Sequence, residues 1–407
     1  MSPQLGALLA AQRVRPDERL AGFLRLTLDQ MSTRAMRDHL GGGFFRYTVD
    51  PGWTTPHFEK MLYSQAELVR LYLAAARGLG VPAYRAVARD TLDFVLRDMA
   101  GPQGGYIASL SAVDARGNEG GAYLWTPEEL ATLLSEEDLA LATAYWSLEP
   151  ALSPDLGLLP QRLTAASEVA SALAVPEPVL AMRVADLRGR LLSARAARPA
   201  PRDTKELAGW NGLMLSALVA GAREFGDSRY ADAAAGLAAY LRTLWDGKQL
   251  YRAREGVRFL GQSGLSDYAY VAAGLADWAE FRGSSEDLQL ARELFGLAWK
   301  NYFSDDGWIL ASNALVPGMR REAAFQDGPL ASPAAVLVSL AQRQQLHQQQ
   351  VAGLGRARAM AAPMVLEMPF WHATHARNLI DSKKPAGDLK KPVAGRPAAA
   401  HRQGTKS

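Results

Sequence analysis

The stretch from Gly41 to Gln65, GGGFFRYTVDPGWTTPHFEKMLYSQ, concentrates more reactive side-chain types than any other part of the chain. Three glycines precede Phe44, Phe45, Arg46 and Tyr47, and Pro56, His57, Glu59 and Lys60 follow. Histidine is the side chain that exchanges a proton near neutral pH, and a carboxylate close by completes an acid–base pair. Gly41 to Gly43 supply the positive φ that ends a helix, the aromatics after them read as a short strand, and Pro56 reads as the opening proline of the next helix. On that reading His57, Glu59 and Lys60 occupy a helix mouth, backed by Met61, Leu62, Leu68 and Leu71. The positive helix terminus then favours an ionised Glu59 and a neutral His57, so the two are the expected proton-transfer couple. The architectural reading of the same residues is a capped helix start with a hydrogen-bonded histidine.

Two other segments set a carboxylate beside aromatics at a loop-to-helix step. DTKELAGWN (Asp203 to Asn211) follows the linker AARPAPR, which makes Asp203 an N-cap candidate, while Lys205, Trp210 and Asn211 offer a stacking face next to an amide, as sugar subsites do. Ser266-Asp267-Tyr268 repeats the pattern. Tyr123 and Trp125 either line the same mouth or pack inward. A sugar epimerase needs two bases on opposite faces of a carbon acid, and here the histidines at hand are His57 and His39. A glycosidase needs two carboxyls across the bond, for which Glu59, Asp203 and Asp267 are candidates. Both chemistries stay open. Arg46, Tyr47, Lys60 and Tyr268 complete the candidate ligand-binding set. The chain has no His-Glu-x-x-His and no phosphate loop, and His372 and His375, at i and i+3, lack a third ligand. Neither a metal nor a cofactor is expected.

Helices must carry these groups. Apolar residues recur at three- and four-residue spacing over Asp17–Leu40, Glu59–Leu79, Ala83–Met99, Val179–Ala197, Glu206–Phe225, Ser228–Leu244, Ser266–Phe281, Ser285–Tyr302 and Ser332–His347, which predicts an all-α protein. Between them, GGFFRYTVD, GGYIASLSA, GKQLYRARE and DGWILASNA each place glycine before a short aromatic run. Gly43, Gly105, Gly247 and Gly307 are 62, 142 and 60 positions apart, which suggests a hairpin unit of roughly 60 residues with two units in the long gap. About six helical hairpins with short β-ribbons in their loops describe an α/α toroid; an open α-solenoid is the alternative.

The 407 residues contain no cysteine, which excludes disulfides, thiolate metal sites and thiol redox chemistry. No apolar run reaches membrane-spanning length and the start lacks a basic leader, so a cytoplasmic protein without membrane partners is expected. The tail 382–407 has seven Lys or Arg against one Asp, net +6, so residues 1–381 sum to −3 within a total of +3. A toroid over 1–381 followed by a disordered basic tail is expected, with no specific nucleic-acid partner. The oligomeric state is not specified by the sequence.

The run LDQMSTRAMRDHLGGGFFRYTVDPGWTTPHFEKMLYSQAELVRLYLAA resembles the signature of the spermatogenesis-associated thioredoxin-domain-containing family. GGAYLWTPEEL, DTKELAGWNGLMLSAL, SDYAYVAAGLADWAE and, more loosely, DGPLASPAAVLVSL continue the resemblance in the family's order. It implies a toroid similar to those of sugar epimerases and six-hairpin glycosidases, hence a small-molecule ligand, a sugar, in a funnel around His57, Glu59, Asp203 and Asp267. Members carry a thioredoxin-like domain and an Ala-Pro-Lys-Phe-Pro segment ahead of the toroid, both absent from these 407 residues. Tyr63-Ser64-Gln65-Ala66 stands where the family has Tyr-Asp-Asn-Ala. Ser109-Leu110-Ser111-Ala112-Val113 replaces Ser-Leu-Asp-Ala-Asp, and Ala331-Ser332-Pro333-Ala334-Ala335 replaces Pro-Ser-Gly-Asn-Ser. The retained Pro-His-Phe-Glu-Lys favours an isomerase, epimerase or hydrolase; the thinned carboxylates favour a non-catalytic scaffold or ligand-binding remnant.

Overall fold

The computed structural model describes residues 1–150, 157–311, 322–343 and 352–382. Its helices there are α1 (Ser2–Val14), α2 (Glu18–Thr33), α3 (Leu62–Leu79), α4 (Ala83–Asp98), α5 (Pro127–Leu133), α6 (Glu136–Trp146), α7 (Ala166–Ala172) and α8 (Glu177–Arg195). They continue with α9 (Ala208–Phe225), α10 (Ser228–Arg242), α11 (Leu265–Arg282), α12 (Ser285–Tyr302), α13 (Pro333–Ala341), α14 (Leu354–Glu367) and α15 (Ala373–Asp381). The short strands are β1 (Tyr47–Thr48), β2 (Pro56–His57), β3 (Lys60–Met61), β4 (Ser109–Leu110), β5 (Glu149–Pro150), β6 (Leu158–Leu159), β7 (Arg202–Asp203), β8 (Tyr251–Glu255), β9 (Arg258–Gln262), β10 (Phe303–Ser304) and β11 (Gly307–Trp308).

The packing order closes a ring. α1 packs on α3, α3 on α9, α9 on α11, α11 on α13, α13 on α15, and α15 returns to α1. Outside it, α2 covers α1 and α3, α4 covers α3 and α9, α10 covers α9 and α11, α12 covers α11, and α14 covers α13 and α15. This is the expected α/α toroid, with six inner helices. α3, α9 and α11 are apolar on nearly every side because both faces are covered. Backbones at the α9–α11 contact approach closely: a Cβ on Gly274 would lie 2.4 Å from the Gly212 carbonyl oxygen. α3, α9 and α11 each stop at a left-handed glycine, Gly80, Gly226 and Gly283, and the next helix starts within a few residues.

Three expectations need correction. α2 ends at Thr33 instead of Leu40, because the Asp38 carboxylate accepts the backbone N–H groups of Leu40 and Gly41 and folds the segment into a turn. α3 starts at Leu62 instead of Glu59, since residues 56–57 and 60–61 are spent in strand pairing. The long gap holds one ring hairpin, α9–α10, plus the insert α5–α8, which has a core of its own around Leu130, Leu141, Trp146, Leu180 and Leu187. The ring reaches six through α1 and α15, which periodicity did not single out. The expected basic tail lies outside the described residues beyond 382, as does the end of the helix expected to run to His347.

Candidate functional site

Two small antiparallel sheets build the site. β1 pairs with β2, setting Tyr47 opposite His57. β3, β4 and β7 form a three-stranded sheet in which Ser109 lies opposite both Met61 and Asp203. β3 runs directly into α3 and β7 leads into α9, so the sheet sits at the N-terminal ends of these inner helices. Asp267, in the first turn of α11, accepts the Gly209 N–H of α9 at 3.1 Å, which puts the start of α11 at the same end.

Between these strands opens a cleft of about 560 Å³ lined by Arg46, His57, Glu59, Ser109, Ser111, Ala112, Pro201, Arg202 and Asp203. Burial alternates along His57-Phe58-Glu59-Lys60: the first and third are partly exposed, the second and fourth buried. That is the two-residue period of an extended chain, so His57 and Glu59 face the cleft while Phe58 and Lys60 enter the core. The His57 ring stacks on Tyr47 at 5.0 Å and 12°, and its Nδ1 is buried without a hydrogen-bond partner. Arg46 Nη1 donates to Glu59 Oε2 at 3.1 Å. Across the cleft, Lys205 Nζ reaches both Asp203 oxygens at 3.0 Å. With neither residue in a helical turn, the expected influence of a helix terminus on His57 and Glu59 is withdrawn.

The other expected site residues, the ligand-binding ones and the catalytic candidate Asp267, do not line this cleft. Lys60 is fully buried; its Nζ donates to Asp38 Oδ2 and to the Gly42 carbonyl, both at 2.7 Å, and faces the rings of Phe94, Phe45 and Tyr123. Burial lowers its pKa to about 8, against the pull of Asp38. Arg195 of α8 grips the same Asp38 carboxylate with both Nη atoms, at 3.1 and 2.9 Å. Burial pushes the Asp38 carboxyl up, but Arg195 and Lys60 outweigh it and hold it well below the usual carboxylate range. Asn211 is buried and bonds the backbone N–H and carbonyl of Tyr106. Asp267 is buried between the Gly264 and Gly209 N–H groups, and burial raises its carboxyl despite Arg252 and both donors. The Tyr268 hydroxyl accepts the Leu250 N–H, and Tyr123 is buried against Phe45 and Phe58. Trp125 lines a separate cleft with Glu129 and Arg198; Trp210, half-buried, packs edge-on against Tyr63 at 4.9 Å.

Of the candidates, the structure therefore gathers Arg46, His57, Glu59 and Asp203 into one cleft, with Tyr47 and Lys205 held at its edge by contacts to His57 and Asp203. It adds Ser109, Ser111 and Arg202, which were not among the candidates. The ribbon around Ser109 was visible, but its place depends on β4 pairing with β7 from a distant segment. Among the described residues no group of three or more His, Asp or Glu is placed to hold a metal.

Spermatogenesis-associated protein 20 of Homo sapiens is 29% identical over 328 residues, covering 69% of this chain and 40% of the human protein. That of Mus musculus is 32% identical over 315 residues, covering 66% and 38%. The chain is a relative of spermatogenesis-associated protein 20. The resemblance read from the order of the motifs is thus borne out, and the chain spans about two fifths of the length of these relatives. An uncharacterized protein of Caenorhabditis elegans is 26% identical over 359 residues, 78% of this chain and 48% of that protein. No protein-family model matches the chain. Among solved structures, the cellobiose 2-epimerase of Bacillus thermoamylovorans B4167 superposes with a TM-score of 0.56, covering 94% of this chain and 86% of that one. At 9% identity this likeness is one of fold, and it agrees with the closed helical ring. No described helix is long and apolar enough to cross a membrane.

Proposed function

We propose that the cleft between β2, β4 and β7 binds a sugar and that His57 is its proton-transfer group, in an isomerase or epimerase. The observation that carries this reading is the convergence of His57 and Glu59, from one extended segment, with Asp203, from a distant one, on one open cleft at the end of the toroid where inner helices begin. Carboxylates, guanidinium groups and serine hydroxyls side by side match neighbouring sugar hydroxyls, which both donate and accept. Glu59 and Asp203 are each engaged by a cation, whereas the histidine forms no ion pair among the described residues, which supports proton transfer at His57 over a two-carboxylate hydrolysis.

One observation favours a non-catalytic ligand-binding remnant. Ser111 lines the cleft at a position where the family resemblance leads one to expect an aspartate. Thermal shift against a sugar panel, with turnover measured for the protein and for His57→Gln, separates the readings. A sugar present at 100 times its Kd stabilises the native state by about 2.7 kcal/mol, and loss of a general acid–base lowers turnover about 10²–10⁴-fold. Stabilisation with no turnover selects the binding remnant; turnover indifferent to His57→Gln removes His57 as the proton-transfer group; no stabilisation by any sugar ends the proposal.

A further inference from the structure

We infer that this end of the toroid takes an acidic oligosaccharide, a short chain of uronate units, with one sugar in the cleft and its neighbours on the β8–β9 hairpin; this rests on the sugar reading above. With Lys205 at its edge, the cleft sets three cations, Arg46, Arg202 and Lys205, against two carboxylates, Glu59 and Asp203. Arg46 and Lys205 each hold a carboxylate. Arg202 holds none among the described residues; it donates to the Ala100 carbonyl at 3.1 Å, which turns it toward the loop 100–106. That loop leads to the hairpin, because Gln103 Oε1 accepts the Gly256 N–H of the hairpin turn at 3.2 Å. The hairpin in turn begins beside the first turn of α11, where the Tyr268 hydroxyl accepts the Leu250 N–H.

The hairpin carries Arg252, Arg254 and Arg258, with Glu255 as the one acid between Tyr251 and Gln262. None of the three pairs with a carboxylate among the described residues: Arg254 donates to the Gly256 carbonyl at 2.8 Å, and Arg252 and Arg258 are exposed. The loop between them and Arg202, AGPQGGY, has no charge of its own. Glu206, beneath that loop, is buried and accepts the Gln103 and Gly105 N–H groups at 2.7 and 2.6 Å. From the cleft wall to the hairpin the chain therefore displays four arginines and one exposed acid. Guanidinium forks match planar carboxylates through two parallel hydrogen bonds, so arginines leading out of a sugar cleft suit successive uronates. Phe259, exposed and stacked on Tyr251 at 4.0 Å, adds an apolar face of the kind a sugar ring covers. A long polyanion is less well matched. Residues 1–381 sum to −3, the total of +3 less the tail's +6, whereas a short ligand senses only the charges within a screening length of about 10 Å.

The test is calorimetric titration of the full chain with trigalacturonate and trimannuronate, each beside its methyl ester, and with cellotriose as a further neutral sugar. Tetrathymidylate, of equal charge, serves as the non-saccharide anion, and melting temperature as the folding control. At least one acid should bind about tenfold tighter than its ester at low salt, an advantage that shrinks as salt is raised. Arg202→Gln should weaken binding of the acid about threefold, and Arg252→Gln with Arg258→Gln about five- to tenfold together. The hairpin pair should leave the ester's affinity unchanged. Because both its residues are exposed and make no hydrogen bond among the described residues, that variant remains informative should Arg202→Gln perturb folding. Esters or cellotriose binding as tightly as both acids, folded variants with unaltered affinity for the acids, or tetrathymidylate binding as tightly as the acids each overturn the inference and leave the sugar reading standing. Absence of binding by every sugar removes both.

Discussion

Acidification from pH 7 to pH 5 should weaken the toroid through two core histidines that take no part in the cleft. His39 is buried beneath the glycine turn and its Nε2 lies 3.1 Å from the Arg34 carbonyl oxygen, so that nitrogen carries the proton of a neutral ring. Burial, with Arg37 nearby, lowers its pKa from 6.5 to about 3. His375, buried near Ser332, is lowered to about 4 by burial and by His372. Both folded pKa values lie below the unfolded one, so between them the unfolded chain binds more protons and stability falls as pH drops below 6.5. At pH 5 each unfolded imidazole is almost fully protonated and each folded one almost fully neutral. Relative to pH 7, each histidine therefore removes about 2 kcal/mol, roughly 4 kcal/mol together. For a chain of this size the unfolding entropy is about 0.8 kcal/mol per degree, so the melting temperature should fall by about 5 °C. Most carboxylates keep their charge above pH 5, so the window isolates histidine. His39→Gln retains a donor for Arg34 without the titration and should remove about half of the fall, measured by calorimetry at pH 7, 6 and 5. An identical pH slope in the native protein and in His39→Gln would refute the buried-neutral assignment.

Lys60→Met should cost about 3 kcal/mol, the lower end for breaking a buried pair, because Asp38 keeps both bonds to Arg195. Urea denaturation reads the loss; selective loss of sugar binding at unchanged stability would return Lys60 to the site. Gly43→Ala should cost about 2–4 kcal/mol, since its Cβ would lie 2.4 Å from Phe94 Cδ1 at φ +72. Gly80→Ala, at φ +66 with open space around it, should cost only about 1 kcal/mol. Equal melting temperatures for the two variants would show that the glycine turn tolerates a side chain.

The ring was legible where local chemistry repeats. Gly80, Gly226 and Gly283 terminate inner helices, and Asp227 and Ser284 cap the outer helices that follow. The apolar spacing between those signals located both members of the hairpins α3–α4, α9–α10 and α11–α12. The site was less legible because strands of two residues carry no measurable period by themselves. Nothing local to Arg202 or Ser109 announces that β4 will pair with β7. The insert α5–α8 imitates a hairpin unit in length, while its separate core around Trp146 follows from contacts among its own helices.

The motif that dominates the sequence divides into two jobs along its own extended backbone. Pro56 reads as a helix start, yet Pro-His-Phe-Glu-Lys alternates polar and buried positions as a strand does. One side of it delivers His57 and Glu59 to the cleft. The other sends Phe58 against Phe45 at 5.2 Å and Lys60 into the Asp38–Arg195 cluster, which ties the glycine turn, β3 and α8 of the insert together. A fully buried ammonium held by a carboxylate and a backbone carbonyl has little freedom to move, so the strand that carries Glu59 is fixed from beneath. The most conspicuous charged residue of the motif therefore acts on the ligand through position alone. For the same reason, exchanging Lys60 for another basic residue should not substitute for it: a guanidinium is too large for the space between Phe94, Phe45 and Tyr123.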